Sequence, residues 1–125
     1  MIWRCRDREM DLSDRTLVMG IVNVTPDSFS DGGRLVREAG DVDLGRLIDH
    51  AARLVEGGAD ILDVGDDLPQ LSDVISTLAG HTRISIHTTD PVVAETAFTA
   101  GATLVNDMSA SLWPIAADAG TGWIA

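Results

Sequence analysis

The chain contains no lysine, which excludes any mechanism that draws an amine nucleophile or a phosphate-binding ammonium from these 125 residues. Positive charge is scarce as well. The Lys+Arg total of 9 stands against an Asp+Glu total of 20, for a net charge of -11. Such a negative field disfavours nucleic acid and anionic membrane surfaces. A phosphorylated substrate would need local help from arginine, a metal ion or backbone amides, and Arg34 and Arg37 are the arginines placed for that work, with solvated surface charge as their simpler reading. Cys5 is the single cysteine, so no intrachain disulfide can form, and the composition is that of a reducing compartment, read as cytoplasmic. Residues Met1 to Asp7 lack the apolar core of a signal peptide, and no apolar run approaches the roughly 18 residues of a membrane span. Three Trp and two Phe are too few and too scattered for a base-stacking platform. His50, His81 and His87 show no i, i+4 pairing and have no companion cysteines, which argues against zinc.

What is present is alternation. With 45% hydrophobic residues the chain can bury one modest core, a single domain or part of one. Short β-rich runs alternate with helical patterns: strands at Leu17–Val24, Ile61–Val64, Arg83–Thr88, Thr103–Val105 and from Trp123 onward, with helices between them. Asp43 is an N-cap for a helix stopped by Gly57-Gly58. A weaker helix spans 67–80, Asp90-Pro91 opens a third that ends at Gly101, and Pro114 opens a short fourth. This order implies parallel βαβ units with right-handed crossovers. Asn23, Asp63, His87 and Asn106 all fall at C-terminal ends of strands, where barrel sites are built, although an open doubly wound sheet also binds ligands at that edge. No strand is followed by a GxGxxG fingerprint.

Met19-Gly20-Ile21-Val22-Asn23-Val24-Thr25-Pro26-Asp27-Ser28-Phe29-Ser30-Asp31-Gly32-Gly33 closely resembles the first strand and loop of dihydropteroate synthases. The resemblance continues through Gly57-Gly58-Ala59-Asp60-Ile61-Leu62-Asp63-Val64-Gly65 and Ala100-Gly101-Ala102-Thr103-Leu104-Val105-Asn106-Asp107. Residues Trp3 to Leu12 are similar to the hairpin that closes the bottom of that family's barrel. The resemblance implies an α/β fold of the (β/α)8 TIM type, of which this chain holds about half, with a hairpin within 1–15 and βα units over 16–125. It also implies condensation of 6-hydroxymethyl-7,8-dihydropterin diphosphate with para-aminobenzoate in folate biosynthesis, assisted by Mg2+.

Carried residue by residue, the resemblance gives Asn23 the metal-side role, as an oxygen ligand of the hard type Mg2+ prefers. Asn106 takes the pterin-binding asparagine, and Asp63 a strand-end carboxylate that could equally bond loop amides. The loop Thr25–Gly33 has the glycine-ended character of a segment that folds over a substrate. Two local departures stand out. Where the family has a Gly-Glu-Ser-Thr-Arg-Pro type loop, this chain reads Gly65-Asp66-Asp67-Leu68-Pro69-Gln70, and where the family has a pterin-binding Asp, this chain has His87. The plainer reading of His87 is a strand-end imidazole bonded to a neighbouring carbonyl. The family's later site residues match no position here. The expectation is therefore a truncated or degenerate member with no intact catalytic set, inactive alone, that associates with itself or another subunit through an open barrel edge. Two alternatives stand beside it: a non-catalytic binding or assembly partner of a full-length synthase, and a methyl-pterin-binding domain of a methyltransferase.

Overall fold

Hydrophobic residues at alternate strand positions must be covered on both faces when strands run parallel, and that requirement organises the molecule. The structure, a computed structural model, describes residues 1–22 and 43–125. Asn23, Val24, the loop Thr25–Gly33, Arg34 and Arg37 lie outside the described residues.

An antiparallel hairpin comes first, with β1 (Ile2–Cys5) pairing β2 (Arg8–Asp11). It is followed by β3 (Met19–Val22), α1 (Leu44–Glu56), β4 (Ile61–Gly65), α2 (Leu71–Ala79), β5 (Arg83–His87), α3 (Pro91–Ala100), β6 (Leu104–Asn106), α4 (Trp113–Ala119) and β7 (Gly122–Ile124). The five later strands form one parallel sheet in the order β3-β4-β5-β6-β7. Consecutive strands are neighbours throughout, with no reversal of order. A doubly wound sheet has such a reversal, so this is the wall of a barrel.

Each face of that wall has its own core. On the outer face Val22, Leu62, Val64, Ile84, Ile86 and Val105 pack with Leu47, Ala51, Val74, Ile75, Leu78, Ala94, Ala97, Phe98 and Ala116 of the helices. On the inner face Ile61 and Leu104 pack with Cys5 and Met10 of the hairpin, joined by Trp3, Leu17, Met19 and Ile124. The hairpin therefore plugs the end where the strands begin, and Arg83 at the start of β5 reaches back to the Glu9 carbonyl at 3.5 Å. The plug is fastened by backbone and side chain together: Arg6 donates its amide to Gly120 O at 2.6 Å and its Nη1 to Phe98 O at 2.8 Å. Asp60 accepts Arg15 Nη1 and the Val18 amide, each at 2.9 Å, and so ties the segment after the hairpin to the start of β4.

Local signals account for most helix ends. Asp43 caps α1 by accepting the Arg46 amide at 3.2 Å, and Asp90 caps α3 by accepting the Val92 amide at 2.8 Å, with Pro91 in the first turn. The expected start of α2 at 67 is not observed. Leu68 is buried in the core and Gln70 takes a left-handed conformation at φ 56, so the chain turns before the helix begins at Leu71. No helix among the described residues is long and apolar enough to cross a membrane.

Gly122 lies under the plug. A Cβ there would stand 2.6 Å from Cys5 Sγ and 2.9 Å from Trp3 Cζ2. Gly122→Ala is expected to lower the stability by about 1–3 kcal/mol through overpacking. Gly45→Ala, whose Cβ meets Asp43 Oδ1 at an ordinary 3.5 Å, should raise it by about 0.5 kcal/mol through helix propensity. Urea unfolding midpoints of the two variants, moving in opposite directions, check both.

Candidate functional site

At the end of the wall opposite the plug, the strand register assembles the polar residues. Parallel pairing sets Asp63 beside Ser85 and Gly65 beside His87, and His87 beside Asn106. Alternation puts Asp63, Ser85, His87 and Asn106 on the inner face, because Leu62, Val64, Ile84, Ile86 and Val105 between them are taken by the helices. Asn23 is outside the described residues, so three of the four expected strand-end residues are seen to converge.

Asp63 is the centre of the group and is buried, 5% exposed. Its Oδ2 accepts a hydrogen bond from Asn106 Nδ2 at 3.1 Å and lies 3.6 Å from His87 Nδ1. The second distance is too long for a hydrogen bond and suits an ion pair when the imidazole is protonated. Asp63 Oδ1 has no hydrogen-bond partner, and the buried hydroxyl of Ser85 on the next strand has none either. The loop amides and the backbone carbonyl considered as partners for Asp63 and His87 are thus replaced, among the described residues, by one another and by Asn106. Because Asn106 spends an amide hydrogen on Asp63, its carbonyl oxygen is left to meet a ligand. A buried carboxylate oxygen, an amide oxygen and a half-exposed imidazole make an edge rich in acceptors, which suits a ligand presenting N–H groups.

Asp107, the next residue, does different work, and sequence reasoning missed it. It is fully buried, and it accepts from the Ser109 hydroxyl at 2.5 Å, the Leu112 amide at 2.7 Å, the Ser109 amide at 2.9 Å and Trp123 Nε1 at 3.2 Å. Burial pushes its carboxyl up, but these donors together outweigh burial and hold it at about 2. Asp107 thereby shapes the turn after β6 and fastens β7 to it. Asp66, one of the two acids in the departing loop, accepts the Thr88 hydroxyl at 2.7 Å, and that hydroxyl in turn receives the Asp90 amide at 3.1 Å. Ser85 was legible in principle, since it shares the strand phase of His87, but a lone serine between two isoleucines carries little weight without the register.

A cavity of about 580 Å3 is at the other end, lined by Trp3, the segment 12–17, Met19, Ile61 and Ile124. It contains none of the strand-end group.

Residues 19–125 match the sequence profile of the family described as "Pterin binding enzyme". The chain belongs to this pterin-binding family. The dihydropteroate synthase of Clostridium beijerinckii is 35% identical over 117 residues, covering 81% of this chain and 41% of that protein. The Synechocystis enzyme of the same name is 39% identical over 115 residues, covering 79% and 38%. Among solved structures, the Yersinia pestis dihydropteroate synthase in a sulfonamide drug complex superposes with a TM-score of 0.71 at 33% identity, covering 96% of this chain and 46% of that one. The Xanthomonas albilineans enzyme in complex with 7,8-dihydropteroate gives 0.68 at 40% identity, covering 93% and 46%. This chain of the pterin-binding family thus spans about two-fifths to half the length of these relatives. The sector of barrel wall is the fold the resemblance implied.

Asp107 makes the family's site end sensitive to acid. Its carboxyl is depressed from an ordinary 3.8 to about 2, so its contribution is complete above pH 4 and is lost as the pH falls toward 2. Asp107→Asn should lower stability at pH 7 by about 2 kcal/mol and flatten the acid limb. Thermal unfolding between pH 7 and pH 2.5 for the two proteins checks the amount and the sign.

Proposed function

We propose that the chain supplies the pterin-recognising part of a dihydropteroate synthase site. The observation that carries the proposal is the buried, half-satisfied Asp63 carboxylate held by Asn106 at the open end of the wall. A pterin ring presents an amino group and a ring N–H side by side, and a carboxylate oxygen next to an amide oxygen matches that edge. In the reaction, the amine nitrogen of para-aminobenzoate forms a bond to the pterin methylene carbon. The C–O bond to diphosphate breaks with its electron pair, and the nitrogen gives up a proton. Asp63 and Asn106 would hold the ring so that the methylene faces the incoming amine, and the gain from such orientation is entropic.

Mg2+ would neutralise the leaving diphosphate, and Asn23 is the residue proposed to hold it. Among the described residues no group of three or more His, Cys, Asp or Glu side chains could hold a metal ion. Cytoplasmic residence, proposed from the composition, accords with the buried free thiol of Cys5.

These 125 residues are proposed to bind without turning over. His87 stands at the family's aspartate position, and Asp66 and Asp67 bring negative charge to the loop where an anionic second substrate would approach. Calorimetric titration with 6-hydroxymethylpterin should give binding that Asn106→Ala weakens by about tenfold, the loss of one hydrogen bond to a charged network. Incubation with pterin diphosphate, labelled para-aminobenzoate and Mg2+ should give no dihydropteroate above background. Product formation that Asn23→Ala abolishes would refute the inactivity of the chain, and absence of pterin binding would refute the site.

A second reading, an assembly partner that pairs its edges with another copy or with a longer synthase, is favoured by one observation. Among the described residues, the inner-face Ile21 on edge strand β3 is 62% exposed, and β7 lies at the opposite edge of the sheet. Sedimentation at micromolar concentration should then show dimers or a complex with the longer enzyme, and a clean monomer in both experiments would remove this reading.

A further inference from the structure

The residue at the family's aspartate position is not spectating. We propose that His87 and Asp63 form a proton-linked pair that tunes ligand binding at this site, so that a ligand with an N–H edge binds more tightly when His87 is neutral than when it is protonated. The inference rests on the pterin-site reading and adds a regulation to it.

The geometry gives the pair three properties. Asp63 is 5% exposed and has one oxygen without a partner, so a ligand N–H entering the site meets a carboxylate whose strength as an acceptor depends on what else neutralises it. His87 Nδ1 stands 3.6 Å from the other oxygen, close enough for charge coupling and too far for a settled hydrogen bond. The imidazole is 42% exposed, so protons reach it from solvent while Asp63 remains enclosed. Imidazole is the side chain whose charge changes between about pH 5 and 8. Once charged, it draws on the same carboxylate that the ligand needs. Reciprocity then requires that a bound N–H edge disfavour the imidazolium.

Among the described residues, the surrounding charges leave Asp63 as the partner. Asn106 faces the pair from β6 and is neutral. Asp66, in the loop after β4, is engaged by the Thr88 hydroxyl, and Asp67 of the same loop lies against Gly65. Asp90, after β5, is spent on the cap of α3, and Asp107, after β6, is enclosed by Ser109, Leu112 and Trp123. An aspartate at position 87 would put a second negative charge beside Asp63 at every physiological pH. A histidine instead supplies a charge that comes and goes, which makes this site responsive where the family pattern is fixed.

Two measurements test the pair. Titrating 6-hydroxymethylpterin calorimetrically at about pH 5.5 and pH 7.5 should show about tenfold tighter binding at the higher pH for the unaltered chain, the size expected of one charge coupled at a partly exposed site. His87→Asn, which keeps a polar side chain and removes the titration, should bind about equally at both. A ratio no larger in the unaltered chain than in His87→Asn overturns the proposal. Independently of any ligand, the pH dependence of the His87 ring signals in NMR should differ between the unaltered chain and Asp63→Asn, and superimposable curves overturn the pair. If pterin binds neither protein at either pH, the reading of the site as a pterin site fails, while curves that differ still uphold the proton-linked pair.

Discussion

Strand phase is the constraint on which the rest depends. In a parallel wall each residue points either to the helices or to the lumen, and neighbouring strands must agree about which. Ile61, Asp63 and Gly65 share one phase of β4, Ser85 and His87 share it on β5, and Leu104 and Asn106 share it on β6. Lower in the lumen those positions are apolar and close over the hairpin; higher up they are polar and form the site. A one-residue slip of β5 against β4 would place Ile84 and Ile86 in the lumen and drive Ser85 and His87 into the helix layer. The outer core and the site are consequently specified by the same registration.

That coupling explains how the two ends of the wall divide their duties. The plugged end is held by close packing of Cys5, Trp3 and Leu104 over Gly122 and by the Arg6 contacts, which are geometric and largely indifferent to pH. The open end is held by carboxylates. Asp107 is saturated with donors and works as a strut, whereas Asp63 is left half-satisfied. A buried unpaired acceptor is costly, of order 1–3 kcal/mol, so its retention beside a mouth points to a use that a fully bonded carboxylate could not serve. Asp63 in β4 and Asp107 just after β6 thus illustrate opposite solutions to burial at one end of the wall.

Much of this was legible in the sequence because the informative features are local. The strand and helix alternation, the caps at Asp43 and Asp90, and the polar residues at strand ends each depend on a few adjacent residues, and the family's motif over residues 19–33 is contiguous. What escaped is non-local. The partner of His87 is 24 residues away in β4, Asp107 finds Trp123 across the next βα unit, and the late start of α2 follows from where Leu68 has to go in the core. Asn-Asp at the end of β6 looks like one polar pair in the sequence, yet successive strand positions face opposite ways and give the two residues unrelated tasks. The choice between a barrel wall and an open sheet was likewise decided by strand order, which no single element contains.

The plug also determines the chemistry of the lone cysteine. Cys5 is fully enclosed, and its thiol is pushed up by burial, an effect only partly offset by its contact with the Gly122 backbone and by the charge of Arg83. A thiolate that scarcely forms and cannot be reached is inert toward alkylating reagents while the hairpin is seated. Labelling can proceed only through excursions in which the hairpin lifts, so the rate at which an electrophile consumes this sulfur is a clock for the opening of the barrel floor.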